Sequence, residues 1–310
     1  MIAEIIAVGS EMLTPYRQDT NSLFLTKQLN ELGVIVAFKT VVGDNFDHLT
    51  GVARTAIGRS DIIIVTGGLG PTEDDLTREC VAAALGVELK RDHAIVTAMY
   101  KRFAERRISM PPNNAKQADV IEDAIVLHNR RGTAPGQYLE TEVDGEPRII
   151  ILLPGPPHEL EALWTHECMA RVRESVPPAA IATMVLKTAM LPESAADART
   201  APIYKKHPNV ETTVLAGQGQ VEFHLRAVAS SEEEAQAAVD KLAGELEEEL
   251  DDTTFFRVNR QYIVNINYVK SFKAFEKVKL LIDITIPEIN HSIVISQETA
   301  PAFRKWMHDA

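Results

Sequence analysis

The stretch VTGGLGPTEDDLTRE, residues 65–79, joins a glycine-rich loop to a cluster of four carboxylates. Glycines let backbone N–H groups come close to an anion, and the start of a helix adds positive potential for phosphate. Carboxylates repel phosphate unless a divalent cation lies between the two groups. The stretch therefore predicts a site for a metal-bound pyrophosphate. Its glycines and acids are Gly67, Gly68, Gly70, Glu73, Asp74, Asp75 and Glu79.

A purely structural role is the alternative interpretation of these acids. Thr72 is a suitable helix N-cap, which would place Asp75 at the third helical position, where it closes a capping box. Glu73 and Asp74 would then complement the helix dipole. This interpretation explains one or two acids but not their position beside a glycine loop.

Short apolar runs alternate with helical patterns around this stretch, which is typical of parallel β/α units. We predict an α/β fold with an open, doubly wound, mostly parallel sheet, whose ligands lie where strand C-termini meet helix N-termini. The strand candidates are AEIIAVG (3–9), VIVAFKTVVGD (34–44), DIIIVTGG (61–68) and RIIILLPG (148–155).

Two changes of pattern divide the rest of the chain. From about residue 171 the sequence predicts a small α+β module that ends in a helix near 231–252. All 16 glycines precede residue 252, and the β-rich segment 253–310 contains none. We therefore predict three domains, 1–170, 171–252 and 253–310. The composition break and the lack of a linker favour a graft as the origin of the last.

The order of six motifs gives a specific resemblance. GSEML…QDTNS, VVGDN, TGGLGPTEDDLTRE, NNAKQA, RGTAPG and LPGPPHEL occur in the order seen in the N-terminal part of CinA, the competence/damage-inducible protein. Residues 1–252 are similar to that part, which implies a MogA/MoaB-like molybdopterin-binding fold followed by a KH-type module. Residues 171–252 lack the GXXG sequence of a nucleic-acid-binding KH domain, so we expect that module to serve in packing or interaction.

The resemblance also implies catalytic and metal-binding residues. Asp75 corresponds to the family's acid at the metal and phosphate, and Asp44 in VVGD is the second acid. The alternative to a metal-binding role for Asp44 is that of an ordinary turn residue or helix cap. Lys116 in NNAKQA is the candidate that compensates charge in a polyphosphate transition state. The implied cofactor is a divalent metal, Mg²⁺ or similar.

Further residues of the same motifs are predicted to bind substrate. In the DTN motif, the competing interpretation is that Asn21 or Thr20 is a plain helix cap. In LPGPPHE, the competing interpretation is a rigid corner between a strand and a helix. The predicted substrate-binding residues are Gly9, Ser10, Glu11, Asp19, Asn21, Gly67, Gly68, Gly70, Thr72, Asn113 and Gly155.

By this resemblance the chain is a metal-dependent pyrophosphatase that converts ADP-ribose to AMP and ribose 5-phosphate. Molybdopterin adenylylation or binding is the alternative on the same fold. CinA proteins of the long form continue into a nicotinamide-nucleotide amidase domain, which has no counterpart in this sequence, so we expect no amidase activity. We also expect a homo-oligomer.

The segment 253–310 resembles the C-terminal half of a LytTR DNA-binding domain through FFRVNRQYIVN. Asn259 and Arg260 correspond to a loop that meets DNA in that family, which gives a third reading, a nucleotide-responsive regulator. Gln297 replaces a commonly basic residue, and the first half of the module is missing. We therefore expect no sequence-specific DNA binding, and strands that pair with another chain or pack on the helix 231–252.

Charge and hydropathy exclude other classes. The net charge is −12, and because residues 253–310 carry eight Lys/Arg against five Asp/Glu, the rest carries −15; such a chain is a poor general nucleic-acid binder. No segment approaches the roughly 20 apolar residues of a membrane span. The N-terminus lacks the basic region of a signal peptide. We expect a cytoplasmic protein without a membrane partner.

Overall fold

The structure is a computed structural model in which the described residues form two compact units, Met1–Pro178 and Ala179–Ala310. The described residues are 1–189, 191–217, 220–250, 255–259, 262–266, 269–275, 279–284 and 293–309.

The first unit is built from strands and helices that alternate along most of its length. Its strands are β1 (Ile2–Val8), β2 (Ile35–Val42), β3 (Ile62–Thr66), β4 (Leu89–Arg91), β5 (Asp119–Ile121), β6 (Ile125–Leu127), β7 (Gly136–Val143) and β8 (Glu146–Leu153). Its helices are α1 (Thr20–Glu31), α2 (Phe46–Arg59), α3 (Thr77–Leu85), α4 (His93–Glu105), α5 (Pro157–Leu163) and α6 (Met169–Ser175), with 3₁₀ turns at Ser10–Leu13 and Pro112–Ala118 and a π-helical turn at Trp164–Cys168.

The main sheet has the strand order β2-β1-β3-β8-β7-β6. The first four strands are parallel, and β7 and β6 are antiparallel additions at one side. Strand β3 is buried throughout because helices cover both faces of the sheet. Leu25 and Leu160 place α1 and α5 in one core, whereas Leu49 and Cys80 place α2 and α3 in the other. The predicted α/β fold with a mostly parallel sheet is confirmed.

This topology brings four chain segments to one edge of the sheet. Parallel strands end at the same edge, so the segments that follow β1, β2, β3 and β8 meet there. They are the GSE motif, the VVGD motif, the glycine loop (residues 67–70) and the LPGPP corner.

The second unit contains an α+β arrangement followed by further strands. Its strands are β9 (Ala180–Ala189), β10 (Val210–Gly217), β11 (Gln220–Ala229), β12 (Phe255–Arg257), β13 (Tyr262–Asn265), β14 (Val269–Phe275), β15 (Lys279–Ile284) and β16 (Ile293–Ile295). Its helices are α7 (Glu193–Tyr204), α8 (Glu232–Leu250) and α9 (Ala300–Asp309).

Helix α8 forms for the reasons that its sequence predicts. The amide of Glu234 donates to Ser231 Oγ at 3.2 Å, which is one half of the capping box. Val239, Leu242 and Leu246, spaced along one helical face, are fully buried against β9 and β11. The KH-type identity of this region stays a prediction.

The segment after residue 252 shares a sheet with the α+β part. The sheet order is β10-β11-β9-β13-β12, and β13 pairs in parallel with β9 through Tyr262 and Ile263. Arg257 also forms an ion pair with Glu247 of α8. Within the described residues, β13 and β12 therefore extend the sheet of the α+β part, and Arg257 contacts the predicted helix. A second sheet, β14-β15-β16, shares a hydrophobic core with Phe303 of α9.

No helix in the described part of the chain is both long and apolar enough to cross a membrane.

Candidate functional site

A cavity of about 310 Å³ opens at the sheet edge where the four parallel strands end. We call it the pyrophosphate cavity. Nine of the predicted site residues line it, although they come from four separate segments of the chain. They are Gly9, Glu11, Asp44, Gly67, Gly68, Gly70, Thr72, Asp75 and Gly155.

The glycine loop needs glycine at its first two positions. Gly67 has φ +93° and Gly68 has φ +63°, a region that residues with a Cβ rarely adopt. A Cβ on Gly67 would lie 2.4 Å from the carbonyl oxygen of Val8, and one on Gly68 would lie 2.2 Å from Thr77 Oγ1. The loop therefore passes directly over the end of β1 and the start of α3.

A buried arginine holds the carbonyl groups of this loop. Arg78 is fully buried, and its guanidinium donates to the oxygens of Leu69 at 2.8 Å and Gly70 at 3.1 Å. Burial lowers its pKa, and the nearby carboxylates, Glu79 first, oppose that shift. Thr77 Oγ1 donates to the oxygen of Gly67 at 2.8 Å in the same way. Arg78 belongs to the quoted stretch 65–79 but had no predicted role, because a charged residue is rarely buried.

The same loop keeps backbone donors available. Among the described residues, no protein group accepts a hydrogen bond from the amides of Gly68, Leu69 or Gly70. Unpaired amides on adjacent residues form an anion-binding concavity. The glycine loop thus offers three donors to a ligand that enters the cavity.

Three of the acids, Glu73, Asp74 and Asp75, precede helix α3, contrary to the capping interpretation, whereas Glu79 lies in its first turn. Helix α3 begins at Thr77, and its N-cap Leu76 makes no side-chain cap bond. The amide of Thr72 donates to Asp75 Oδ2 at 2.9 Å, and the Thr72 hydroxyl donates to the same oxygen. The pair closes a separate turn, residues 72–75, which we call the acid turn. Thr72 is therefore not the N-cap of α3.

Asp44 joins the ends of β1 and β2. Its Oδ2 accepts from the amide of Ser10 at 2.7 Å, and its own amide donates to Ser10 Oγ at 3.0 Å. The cap of α2 is Asn45, whose side chain accepts from the amide of His48 at 3.0 Å. A helix-cap role for Asp44 is thereby ruled out. Ser10 itself does not line the pyrophosphate cavity in the described structure.

The pyrophosphate cavity is strongly acidic. Five carboxylates line it, and none of its described lining residues is Lys, Arg or His. The polar side chain of Thr72 lowers the pKa of Asp74 most, and its own amide and the charge of Lys116 lower it further. An anionic ligand therefore needs a cation to enter. The carboxylates are Glu11, Asp44, Asp74, Asp75 and Glu159.

The donor set fits a hard divalent cation. Asp44 and Asp75 each use one carboxylate oxygen, Oδ2, in the hydrogen bonds above, and the described residues donate no hydrogen bond to either Oδ1. Within the described chain, no three His, Cys, Asp or Glu side chains could hold a metal ion by themselves. Proteins bind Mg²⁺ through one or two carboxylates together with substrate phosphates, and Asp44 and Asp75 are the candidate carboxylates here.

Other predicted residues support the site without lining the cavity. The ammonium group of Lys116 lies 3.3 Å from the oxygen of Thr72 and 3.2 Å from Glu79 Oε1. Asn113 donates to the oxygen of Pro71 at 3.3 Å. Both side chains therefore hold the acid turn in place.

The DTN motif fixes the neighbouring corner. Asp19, and neither Thr20 nor Asn21, is the N-cap of α1, because its carboxylate accepts from the amide of Ser22 at 2.9 Å. Asn21 instead donates to the oxygen of Gly155 at 2.7 Å. The motif thus ties α1 to the LPGPP corner, which lines the cavity.

Some lining residues were not predicted individually. Glu159 accepts a hydrogen bond from Asn129 at 2.6 Å, which links the LPGPPHE helix to the loop before RGTAPG. The motif RGTAPG was identified in the sequence, but no role was predicted for its residues. The additional polar or loop residues at the cavity are Asp74, Gln117, Thr133, Ala134 and Glu159.

The DNA-binding candidates lie in the second unit. Asn259 accepts from the amide of Tyr262 at 3.0 Å and donates to the oxygen of Val294 at 3.0 Å, so its side chain organises the loop between β12 and β13. Arg260 lies outside the described residues.

Comparison with known families gives two matches. The sequence profile described as "Probable molybdopterin binding domain" matches residues 4–174, more than half of the chain. The profile of the LytTr DNA-binding domain matches residues 224–308. The second match begins inside β11, upstream of the predicted start at residue 253.

Individual relatives agree with the first match. A CinA-like protein of Koribacter versatilis is 60% identical over 255 residues, which are 82% of this chain and 62% of that protein. A CinA-like protein of Solibacter usitatus is 48% identical over 257 residues, 83% of this chain and 61% of that protein. The chain thus spans slightly over three fifths of the length of these relatives.

A solved structure supports the fold. The crystal structure of the protein CinA from Thermoplasma acidophilum has a TM-score of 0.50 and 32% identity, and the match covers 56% of this chain and 97% of that one. The chain therefore belongs to the family described as "Probable molybdopterin binding domain", in the form that CinA-like proteins carry.

Proposed function

We propose that this chain hydrolyses the pyrophosphate bond of a nucleotide such as ADP-ribose, with a divalent metal as cofactor. One observation carries the proposal: a single cavity combines three unpaired loop amides with five carboxylates and, among its described lining residues, no cationic side chain. Amides favour an anion and carboxylates favour a cation, so a metal-bound pyrophosphate satisfies both groups.

The chain's residues divide the work as follows. The glycine-loop amides bind phosphate oxygens, and Arg78 keeps the loop carbonyls turned into the protein. Asp44 and Asp75 would hold the cation, Mg²⁺ or similar, which when bound neutralises the charge of the pyrophosphate. Lys116 holds the acid turn through the Thr72 carbonyl and contributes positive charge near Asp74.

The reaction consumes one water molecule. Its oxygen bonds to one phosphorus atom, the bridging P–O bond breaks, and the products from ADP-ribose are AMP and ribose 5-phosphate. The loop amides stabilise charge that develops on the phosphate oxygens, since they are fixed donors in a preformed site.

Metal dependence provides the direct test. Protein that has been dialysed against EDTA should not hydrolyse ADP-ribose, and added Mg²⁺ or another divalent cation should restore turnover. Full activity in excess EDTA would show that the carboxylates serve only to build the turn.

Molybdopterin adenylylation or binding is the second candidate, favoured by the family match over residues 4–174. It would use the same pyrophosphate cavity, because adenylylation also proceeds through a phosphoanhydride. Incubation with ATP, Mg²⁺ and molybdopterin separates the two candidates. An adenylylated pterin without ADP-ribose hydrolysis would favour this second function.

A further inference from the structure

A second cavity, of about 330 Å³, adjoins the pyrophosphate cavity in the first unit. We call it the apolar cavity; it lies between α4 and the segment from β6 to β7. Thr133 lines both cavities. Asn129, in the wall of the apolar cavity, donates to Glu159, in the wall of the pyrophosphate cavity, at 2.6 Å. The two cavities therefore share one stretch of wall.

The partition between the cavities is thin. A Cβ on Gly132 would lie 1.7 Å from Glu159 Oε2, so a larger residue there would displace the end of the Glu159 side chain. Arg102 of α4 donates to the oxygens of Asn129 at 3.2 Å and Arg130 at 3.3 Å, and also to that of Gly132. These bonds fix the loop that separates the cavities, so the apolar cavity is preformed.

The walls of the two cavities differ in chemistry. The apolar cavity is lined mainly by Ile95, Met99, Val126 and Pro135, whereas the pyrophosphate cavity is lined by acids and glycines. Hydrophobic walls with a few polar groups suit a flat aromatic ligand. A sugar phosphate, with hydroxyl groups around its ring, would lose hydration there without gaining enough partners. Polar or charged groups at the same wall come from Asp92, Arg102, His128, Asn129 and Thr133.

We propose that the apolar cavity binds the purine base of the nucleotide whose pyrophosphate lies in the pyrophosphate cavity. The identity of the ligand rests on the proposed function. The base packs against the α4 side chains, and the rest of the nucleotide passes Thr133 into the pyrophosphate cavity. The sugar phosphate at the other end of ADP-ribose lies outside the apolar cavity.

A pair of alanines on α4 allows a matched test. Ala98 lines the apolar cavity and Ala104 does not, yet both are exposed residues of the same helix. Ala98→Phe should fill the cavity from its open side. We expect it to weaken AMP binding about tenfold or more by calorimetry and to raise the KM for ADP-ribose similarly. Binding of Mg²⁺-pyrophosphate should not change, and Ala104→Phe should match the unmodified protein.

The outcomes separate this proposal from the proposed function. Equal AMP affinity in the two variants, or no AMP binding to the unmodified protein, would overturn the base site. Selective loss of AMP binding without any ADP-ribose hydrolysis would keep the base site and reject the hydrolase. If Ala98→Phe does not fold, NMR of the unmodified protein provides the test instead. Adenosine should shift the methyl resonance of Met99, and an unchanged resonance would overturn the proposal.

Discussion

We propose two tasks for Asp75, one for each of its carboxylate oxygens. Oδ2 closes the acid turn with Thr72, and Oδ1 accepts no hydrogen bond from the described residues at the wall of the pyrophosphate cavity. The structural task needs only an acceptor, but the metal-binding task needs a negative charge. A substitution that keeps the acceptor and removes the charge therefore separates the two tasks.

Asp75→Asn should reduce kcat about 100-fold or more, since a carboxylate that holds the cation is lost. The free energy of unfolding should change by less than about 1 kcal/mol, because the amide oxygen still accepts from Thr72. Steady-state kinetics and urea denaturation measure both. Glu73→Gln is the control, because Glu73 lies in the same turn without lining the cavity; equal effects of the two substitutions would remove the metal role.

Arg78→Met should destabilise the first unit by about 2–4 kcal/mol, because the buried carbonyl of Leu69 and the partly buried carbonyl of Gly70 lose their donor. The glycine loop should lose its shape, so phosphate binding should weaken as well. Denaturation curves and pyrophosphate titration provide the measurements. Unchanged stability would mean that the loop holds its shape without the guanidinium group.

At the scale of the element, periodicity made most of the first unit predictable. Strands β1, β3 and β8 are apolar runs between helical patterns, and parallel topology places their C-terminal ends together. Local rules misplaced the start of α3, because Thr72 and Asp75 do form the expected pair but in a turn that ends before Thr77. The approach of Gly132 to Glu159 is a contact across the fold, and no local pattern reports it.

The pairing of β9 with β11 carries an ion pair that should respond to pH. Lys187 lies opposite Glu222 with Nζ 2.6 Å from Oε1, and this hydrogen bond is the main cause of the lowered pKa of Glu222. A carboxyl whose pKa is lower in the folded state stabilises the fold above its unfolded pKa, and that stability is lost as pH falls through the folded value.

Glu222→Gln should therefore destabilise the protein at pH 7, by no more than about 1 kcal/mol for a pair with solvent access. The destabilisation should shrink as pH falls below the ordinary value of 4.5. Urea denaturation across this range is the measurement. Glu211→Gln, which removes a carboxylate 65% exposed in the same sheet, should have a smaller effect. A destabilisation by Glu222→Gln that did not vary with pH would contradict the linkage.

Across the whole molecule, the negative net charge opposes DNA binding by the region that matches the LytTr profile. Residues 253–310 carry a net +3, while the remainder carries −15. The LytTr profile begins at residue 224, so the matched region includes α8, a helix with three glutamates in its first turn. Asn259 also bonds within the protein through both side-chain atoms. The expected homo-oligomer stays a prediction.

We therefore expect only weak, salt-sensitive attraction to DNA, through phosphate contacts alone, and no sequence-specific binding at physiological salt. Footprinting of the full chain on a library of DNA sites, with competitor DNA, is the measurement. A defined footprint at sub-micromolar protein that survives the competitor would establish a regulator instead.

The central claim is that the pyrophosphate cavity breaks a phosphoanhydride with water. Phosphorus NMR of the full chain with ADP-ribose and Mg²⁺ follows substrate and products together. We expect the pyrophosphate signals to disappear while AMP and ribose 5-phosphate appear in equal amounts, and we expect Asp75→Asn to abolish the change. Unaltered pyrophosphate signals with folded, metal-loaded protein would contradict the proposed hydrolysis.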